Sequence, residues 1–351
     1  MRKRIFKILG AVLGIPLLLI VGLIAFLSIT EYTPADRQAA EKIIRTDSGT
    51  AAEQSLTLYT WNIGYAGLGK ESDFFMDGGE MVDPPSQEIV EENLTAIQDF
   101  MKNNAADAWL LQEVDVNSAR TGHTDQFAQL QNELSANASF AYNYNCPFVP
   151  IPLPPIGKVQ SGVATMTSLS MKENAERISL FCPFSWPVST SNLKRCLLVT
   201  RTDVANSDKE LVLINLHLEA YEDGEGRIAQ TKQLIELIQS EYEKGNYVIA
   251  GGDFNQAFPG TLDTFPITKS ENWIPGILEE SNLPDNWQFA YDSTQATCRL
   301  LDQPYCEDCQ LYVIDGFILS PNVKMEDVQT IPLNFEHSDH NPVRLRINLL
   351  P

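Results

Sequence analysis

Apolar, largely β-branched runs recur along the chain and tend to end in polar residues. They predict strands over 56–62, 108–113, 162–168, 196–202, 210–218, 247–253, 311–319 and 343–349. Helical spacing intervenes between some of them. Ser86 is placed to cap a helix whose apolar face is Ile89, Val90, Leu94, Ile97 and Met101. A second helix over 225–242 would turn Ile228, Leu234, Ile235 and Ile238 toward a core. Strands mixed with helices predict an α/β or α+β sheet protein. Residues 147–157 carry Pro147, Pro150, Pro152, Pro154 and Pro155, which excludes a central strand or helix and predicts a rigid exposed loop.

The N-terminal run has a different character. After Lys7 no charge occurs until Glu31, and Ile8 to Thr30 is apolar on every face, long enough to span a bilayer as a helix. Basic residues Arg2, Lys3, Arg4 and Lys7 precede it, which orients the N-terminus to the cytoplasm and everything after Glu31 to the far side. The run is longer than a signal-peptide core, so an uncleaved signal anchor is favoured over a cleaved, secreted form. The expected division is therefore 1–30 cytoplasmic stub and transmembrane helix, 31–55 juxtamembrane stalk with helical tendency over 39–45, and 56–351 one catalytic domain with no internal repeat.

Composition sharpens this picture. The chain has 351 residues and a formal charge of −21, and every acidic residue lies beyond the apolar run. Such a field repels polyanions, and no Arg/Lys cluster follows the stalk, so stable binding of duplex DNA is disfavoured. The six cysteines, Cys146, Cys182, Cys196, Cys298, Cys306 and Cys309, form an even set compatible with disulfides in an exported chain, or with buried thiols. Cys306 and Cys309 have half a zinc-site spacing, but no second pair completes it.

Candidate chemistry gathers at predicted strand ends. The segments are Thr60-Trp61-Asn62, Gln112-Glu113, Asn215-Leu216-His217-Leu218-Glu219, Gly252-Asp253-Phe254-Asn255 and Ser338-Asp339-His340, with Asp315 inside an apolar strand. Hydrolysis of a phosphate ester needs charge neutralisation at the non-bridging oxygens, an in-line water and help for the leaving oxygen. Hard oxygens from Glu113, Asp339 and the Asn62 carbonyl suit Mg²⁺, Mn²⁺ or Ca²⁺. The period of two in Asp253-Phe254-Asn255 would put Asp253 on the water and Asn255 on a phosphoryl oxygen. His217 and His340 supply imidazoles for the developing charge.

The order Asn, Gln-Glu, His-Leu, Gly-Asp-Phe-Asn, Ile-Asp, Ser-Asp-His resembles the endonuclease/exonuclease/phosphatase superfamily, over Leu56 to about Arg346. The resemblance implies a four-layered sandwich, two packed mixed sheets with helices outside. It implies Glu113 as principal metal ligand with Asn62 and Asp339, and Asp253 with Asn255 at the attacking water. It further implies His217 and His340 on the scissile phosphate, with Asp315 orienting His340. Arg120 and His123, just beyond the Glu113 strand, are second candidates for clamping a phosphate, and Arg227 and Gln230, early in the helix after His217, either support the His217 loop or face solvent. The expected activity is an extracytoplasmic, metal-dependent phosphoesterase for a small phosphoester, nucleotide or phospholipid headgroup. A broad extracellular nuclease is the runner-up, and a binding module without catalysis is disfavoured because no acid or histidine of the set is missing. The oligomeric state is not legible.

Overall fold

The computed structural model describes residues 2–46, 49–221 and 224–351, with the side chains of residues 2–12 left out. Two seven-stranded mixed sheets pack face to face. The first runs, edge to edge, Arg37–Ala39, Glu176–Ser179, Cys196–Asp203, Glu210–His217, Tyr247–Asp253, Asp315–Leu319, Gln288–Ala290. The second runs Val323–Thr330, Val343–Leu349, Ser55–Asn62, Ala108–Asp115, Gly157–Thr167, Asn137–Val149, Lys42–Ile44.

The period-two patterning explains the layering. From Ser55–Asn62, Leu56 and Leu58 point inward to meet Leu211, Leu213, Ile249 and Phe317 of the facing sheet. The alternate residues Tyr59 and Trp61 point outward, under the helix Gln87–Asn103. Ser86 caps that helix as expected, its hydroxyl accepting from the Ile89 N–H at 3.3 Å. On the other flank the helix Glu225–Glu243 buries Leu234 and Ile238 against Val212, Ile214 and Val248. Ile228 was expected on that inner face, but it is 71% exposed because the face turned inward is that of Gly226, Gln230, Leu234, Ile238 and Glu241, from which Ile228 is rotated away.

Polar groups also join the sheets. Gln112 donates through Nε2 to Asn215 Oδ1 at 2.8 Å, and Asn215 donates to the carbonyls of Leu111 and Ala164. This satisfied buried bridge fixes the two sheets in register, since unpaired amides at that depth would be costly. Gly252 shows why the strand before Asp253 is glycine-rich: a Cβ there would lie 1.9 Å from the Leu216 carbonyl oxygen.

Three local expectations are corrected. The helical tendency around residues 39–45 gives way to the short strands Arg37–Ala39 and Lys42–Ile44, one on an edge of each sheet. Open sheet edges supply backbone partners that outweigh a weak local propensity. The strand expected over 311–319 is broken: Phe254 and Phe258 donate to the carbonyls of Ile314 and Val313, and pairing resumes at Asp315. The strand Asn137–Val149 runs through Pro147, which sits exposed where the register shifts between Cys146 and Val149. The exposed proline loop is confined to residues after Val149.

At the N-terminus a helix spans Arg2–Ile29. Among the described residues no helix is long and apolar enough to cross a membrane, and part of the span expected over 1–30 lies outside the described side chains. All six cysteines are thiols, the Sγ atoms of Cys306 and Cys309 lying 3.3 Å apart.

Candidate active site

The first sheet brings three functional side chains to one level. Asp253 is register-paired with His217 on its parallel neighbour and with Asp315 on its antiparallel neighbour. His217 Nε2 lies 3.4 Å from Asp253 Oδ2. The second sheet contributes Glu113 from its central strand and Asn62 from the parallel strand beside it. Glu113 stands in a bulge, where the register slips between Leu111 and Val114 and its own φ is 55°. A left-handed backbone is strained for a glutamate, and here it re-aims one side chain out of the sheet's alternation. The Asn62 amide then ties the sheets together, donating to Glu113 Oε1 and Asp253 Oδ2 at 3.1 Å each.

The turn Ser338-Asp339-His340 closes the site, held from several sides. Ser338 Oγ donates to the Asn62 carbonyl at 2.8 Å, and the Trp61 indole donates to the His340 carbonyl at 2.9 Å. His340 Nδ1 sits 2.8 Å from Asp315 Oδ2, so its Nδ1–H donates there and the ring cannot rotate. Its other nitrogen is left 3.8 Å from both Asp253 Oδ2 and Asp339 Oδ2.

The electrostatics separate the two histidines. Burial opposes charge on His340, yet the Asp315 and Asp339 carboxyls hold its pKa well above the ordinary value. Burial, reinforced by the Arg195 guanidinium and by His340, holds His217 well below it, a neutral ring. Asp253 is pushed up to about 7 by burial and by Asp315. Asp339 is also raised to about 7, by burial and by Glu113, against the pull of His340.

These residues share a cavity of about 630 Å³ lined by Glu113, His217, Asp253, Asn255, Asp339 and His340. Several expectations for individual residues change. The Asn62 oxygen accepts from the Gly64 N–H at 3.0 Å, so its nitrogen, not its carbonyl, faces the acids. Asn255 does lie in the cavity, but not by strand alternation: the strand ends at Asp253 and Asn255 has a φ of 51°. Its amide nitrogen donates to the Leu218 carbonyl at 2.8 Å and its backbone N–H to Asp253 Oδ1 at 2.8 Å, which leaves one amide hydrogen for a ligand. Arg120 lines the cavity, yet its fork is bound to both Asp115 oxygens at 2.9 and 3.0 Å and stacks on Tyr65, so it does not stand open as a phosphate clamp. His123 is outside the site, exposed on its loop with Nδ1 2.8 Å from Asn117 Oδ1.

Arg195, Tyr221 and Asp77 had no sequence signal, whereas Gln230 was a candidate from its place in the helix after His217. Arg195 donates to the His217 carbonyl at 3.1 Å and pairs with Glu219 at 3.3 Å, fixing the loop after His217 from a strand distant in sequence. Gln230 supports the same loop, accepting from the Glu219 N–H and donating to the Phe181 carbonyl. Tyr221 donates to Asp77 at 2.7 Å on the cavity wall, where burial raises Asp77 to about 6.

The donor set fits a hard divalent cation. Burial among neighbouring acids lifts both Asp253 and Asp339 to about 7, an excess of negative charge that a cation would relieve. Asp253, Asp315 and His340 also offer ligand-type atoms within 4.8 Å of one another. In that trio, however, Asp315 and His340 are engaged with each other, so Glu113 and Asp339 are the oxygens left for a metal.

Fold and site define a two-sheet α/β sandwich with a buried carboxylate–imidazole centre at one edge. The chain belongs to the endonuclease/exonuclease/phosphatase family, whose profile matches residues 59–340. Its members are generally hydrolases of phosphoester bonds that depend on divalent metals. Similar solved structures include an endonuclease/exonuclease/phosphatase from Beutenbergia cavernae, at 18% identity and TM-score 0.57, over 85% of this chain and 72% of that one. The human Nocturnin catalytic domain aligns at 20% identity and TM-score 0.54, over 86% of this chain and 96% of that one. Truncated TDP2 from Caenorhabditis elegans aligns at 16% identity and TM-score 0.52, over 84% and 98%. At these identities the likeness is one of fold. Comparison with curated proteins gives no match.

Proposed function

We propose that this chain is a metal-dependent phosphoesterase held at a membrane by its N-terminal helix, with the catalytic domain on the extracytoplasmic side. The single observation carrying the catalytic part is the convergence of Glu113, Asp253 and His340, from three separate segments, around the Asn62 amide. A Mg²⁺, Mn²⁺ or Ca²⁺ ion held by Glu113 and Asp339 would supply charge neutralisation at the phosphoryl oxygens.

The protein's own groups account for the rest. Asp253, oriented by Asn62 and by the Asn255 N–H, accepts a proton from the attacking water as its oxygen bonds to phosphorus. The imidazolium of His340, fixed by Asp315, faces the charge that develops on the phosphoryl oxygens. Neutral His217 donates a hydrogen bond to the same group. The P–O bond to the leaving group breaks, the leaving oxygen takes up a proton, and a phosphate and an alcohol result.

Support for the membrane location comes from the helix. Leu13, Leu17, Leu18, Leu19, Ile20 and Val21 are each more than half exposed, an apolar surface that a bilayer would cover. The chain's −21 charge favours a small or zwitterionic substrate over nucleic acid. The test is hydrolysis of bis-p-nitrophenyl phosphate by the purified chain with Mg²⁺ or Mn²⁺. Asp253→Ala should abolish turnover with the fold retained by circular dichroism. Activity undiminished in EDTA would refute the reading.

A further inference from the structure

The catalytic cavity has two chemically different walls. One part of its lining is the acid and histidine cluster, whereas much of the rest is apolar. Leu23, Ile24 and Leu27 of the N-terminal helix line it, with Val149, Ile151 and Val188 beside them.

The helix end is seated firmly there. Leu27 is 5% exposed and packs, with Leu23, on Cys146, Val149 and Val159. The Trp186 indole donates to Ser28 Oγ at 2.9 Å, and Lys194 pairs with Glu31 at 2.8 Å. In the same lining, Met76, Ile151 and Val188 are large apolar side chains left between 44% and 72% exposed. A site for a purely polar phosphoester gains nothing from such walls, and exposing them to water is unfavourable.

Resting on the reading of the site as a phosphoesterase, we infer that its substrate is a lipid phosphoester. The phosphate lies against His340 and Asp253, and the alkyl chain runs along Leu23, Leu27, Ile151 and Val188. The helix that would sit in the bilayer is itself a wall of the cavity, so a lipid reaches the acid and histidine cluster by sliding along it with its chain continuously covered. The acidity of the chain keeps polyanionic ligands away and leaves a lipid carrying one phosphate as the fitting occupant. Hydrolysis follows the balance given above: water oxygen bonds to phosphorus, and the leaving alcohol departs with a proton.

The test uses the full chain in non-ionic detergent with Mn²⁺ and two diesters that share a leaving group, methyl p-nitrophenyl phosphate and octyl p-nitrophenyl phosphate. Chain-methylene burial predicts kcat/KM for the octyl ester at least tenfold above that for the methyl ester. In the double variant Ile151→Ser, Val188→Ser, both positions being exposed and tolerant of substitution, the octyl-to-methyl ratio should fall severalfold. That fall separates binding along the wall from simple partition into micelles. Equal kcat/KM for the two esters, or a ratio the double variant does not change, overturns the lipid inference while the phosphoesterase reading stands. Hydrolysis of neither ester overturns both.

Discussion

Asp315→Asn isolates the electrostatic part of the proposed mechanism. The side chain is fully buried, Oδ2 lies 2.8 Å from His340 Nδ1, and Oδ1 has no hydrogen-bond partner among the described residues. Asparagine keeps the shape and an acceptor for Nδ1–H but removes the negative charge. At 2.8 Å and an effective dielectric of about 20, the lost attraction is about 6 kcal/mol before desolvation offsets part of it. Breaking a buried pair typically costs about 3–5 kcal/mol. Losing that charge lowers the His340 pKa from its raised value, because Asp315 is what holds it up against burial.

The sign follows from the raised pKa of His340. The imidazolium persists up to the folded-state pKa and is lost above it, so removing Asp315 moves the alkaline limb of the rate profile to lower pH. With bis-p-nitrophenyl phosphate and saturating Mn²⁺, kcat at about pH 8 should fall roughly 10²-fold, the scale of a lost charge-stabilising group. The new amide hydrogens at the former Oδ1 position find no acceptor, so a modest loss of thermal stability accompanies it. A variant within threefold of wild type, with an unshifted alkaline limb, would refute the role given to the pair.

Glu113→Gln should remove detectable turnover and weaken Mn²⁺ binding at least tenfold by titration calorimetry, because a neutral amide replaces the carboxylate left open to a cation. Gly252→Ala should yield insoluble or unfolded protein, since its Cβ meets the Leu216 carbonyl at 1.9 Å; soluble, active protein with an unchanged melting temperature would contradict that packing. Glu241 is held down at about 2: burial alone would raise it, and Arg201 and Lys244 overcome that. Its contribution is therefore present above the unfolded value of 4.5 and is lost as pH falls toward about 2. Glu241→Gln should lower stability at neutral pH by at most about 3 kcal/mol, and denaturant melts of the two proteins should converge in acid.

The strand ends carrying Asn62, His217 and Asp253 were legible because a buried strand imposes a period-two or continuous apolar pattern on its own residues. The chemistry was legible for a related reason: acids and histidines at the ends of apolar runs stand out against a background that excludes them. The same local rules misplaced Ile228, joined two strands across Ile314, and missed the edge strands near Ala39 and Ile44. Those outcomes depend on which face of a helix meets the sheet and which backbone groups a sheet leaves unpaired. Arg120 was a candidate phosphate clamp from its position just beyond the Glu113 strand, but only the folded chain reveals that Asp115 occupies its fork.

The amino-acid order alone thus determined the layered class, the residue types of the active centre and the apolar character of the first helix, since each is a property of neighbours along the chain. Tertiary structure decided the rest: the Glu113 bulge, the Gln112–Asn215 bridge, the Arg195 brace and the seating of Leu27 in the cavity wall. Each of these joins or re-aims groups through partners far away in sequence. Such pairings are fixed by the geometry of two packed sheets, which no local pattern of polar and apolar residues contains.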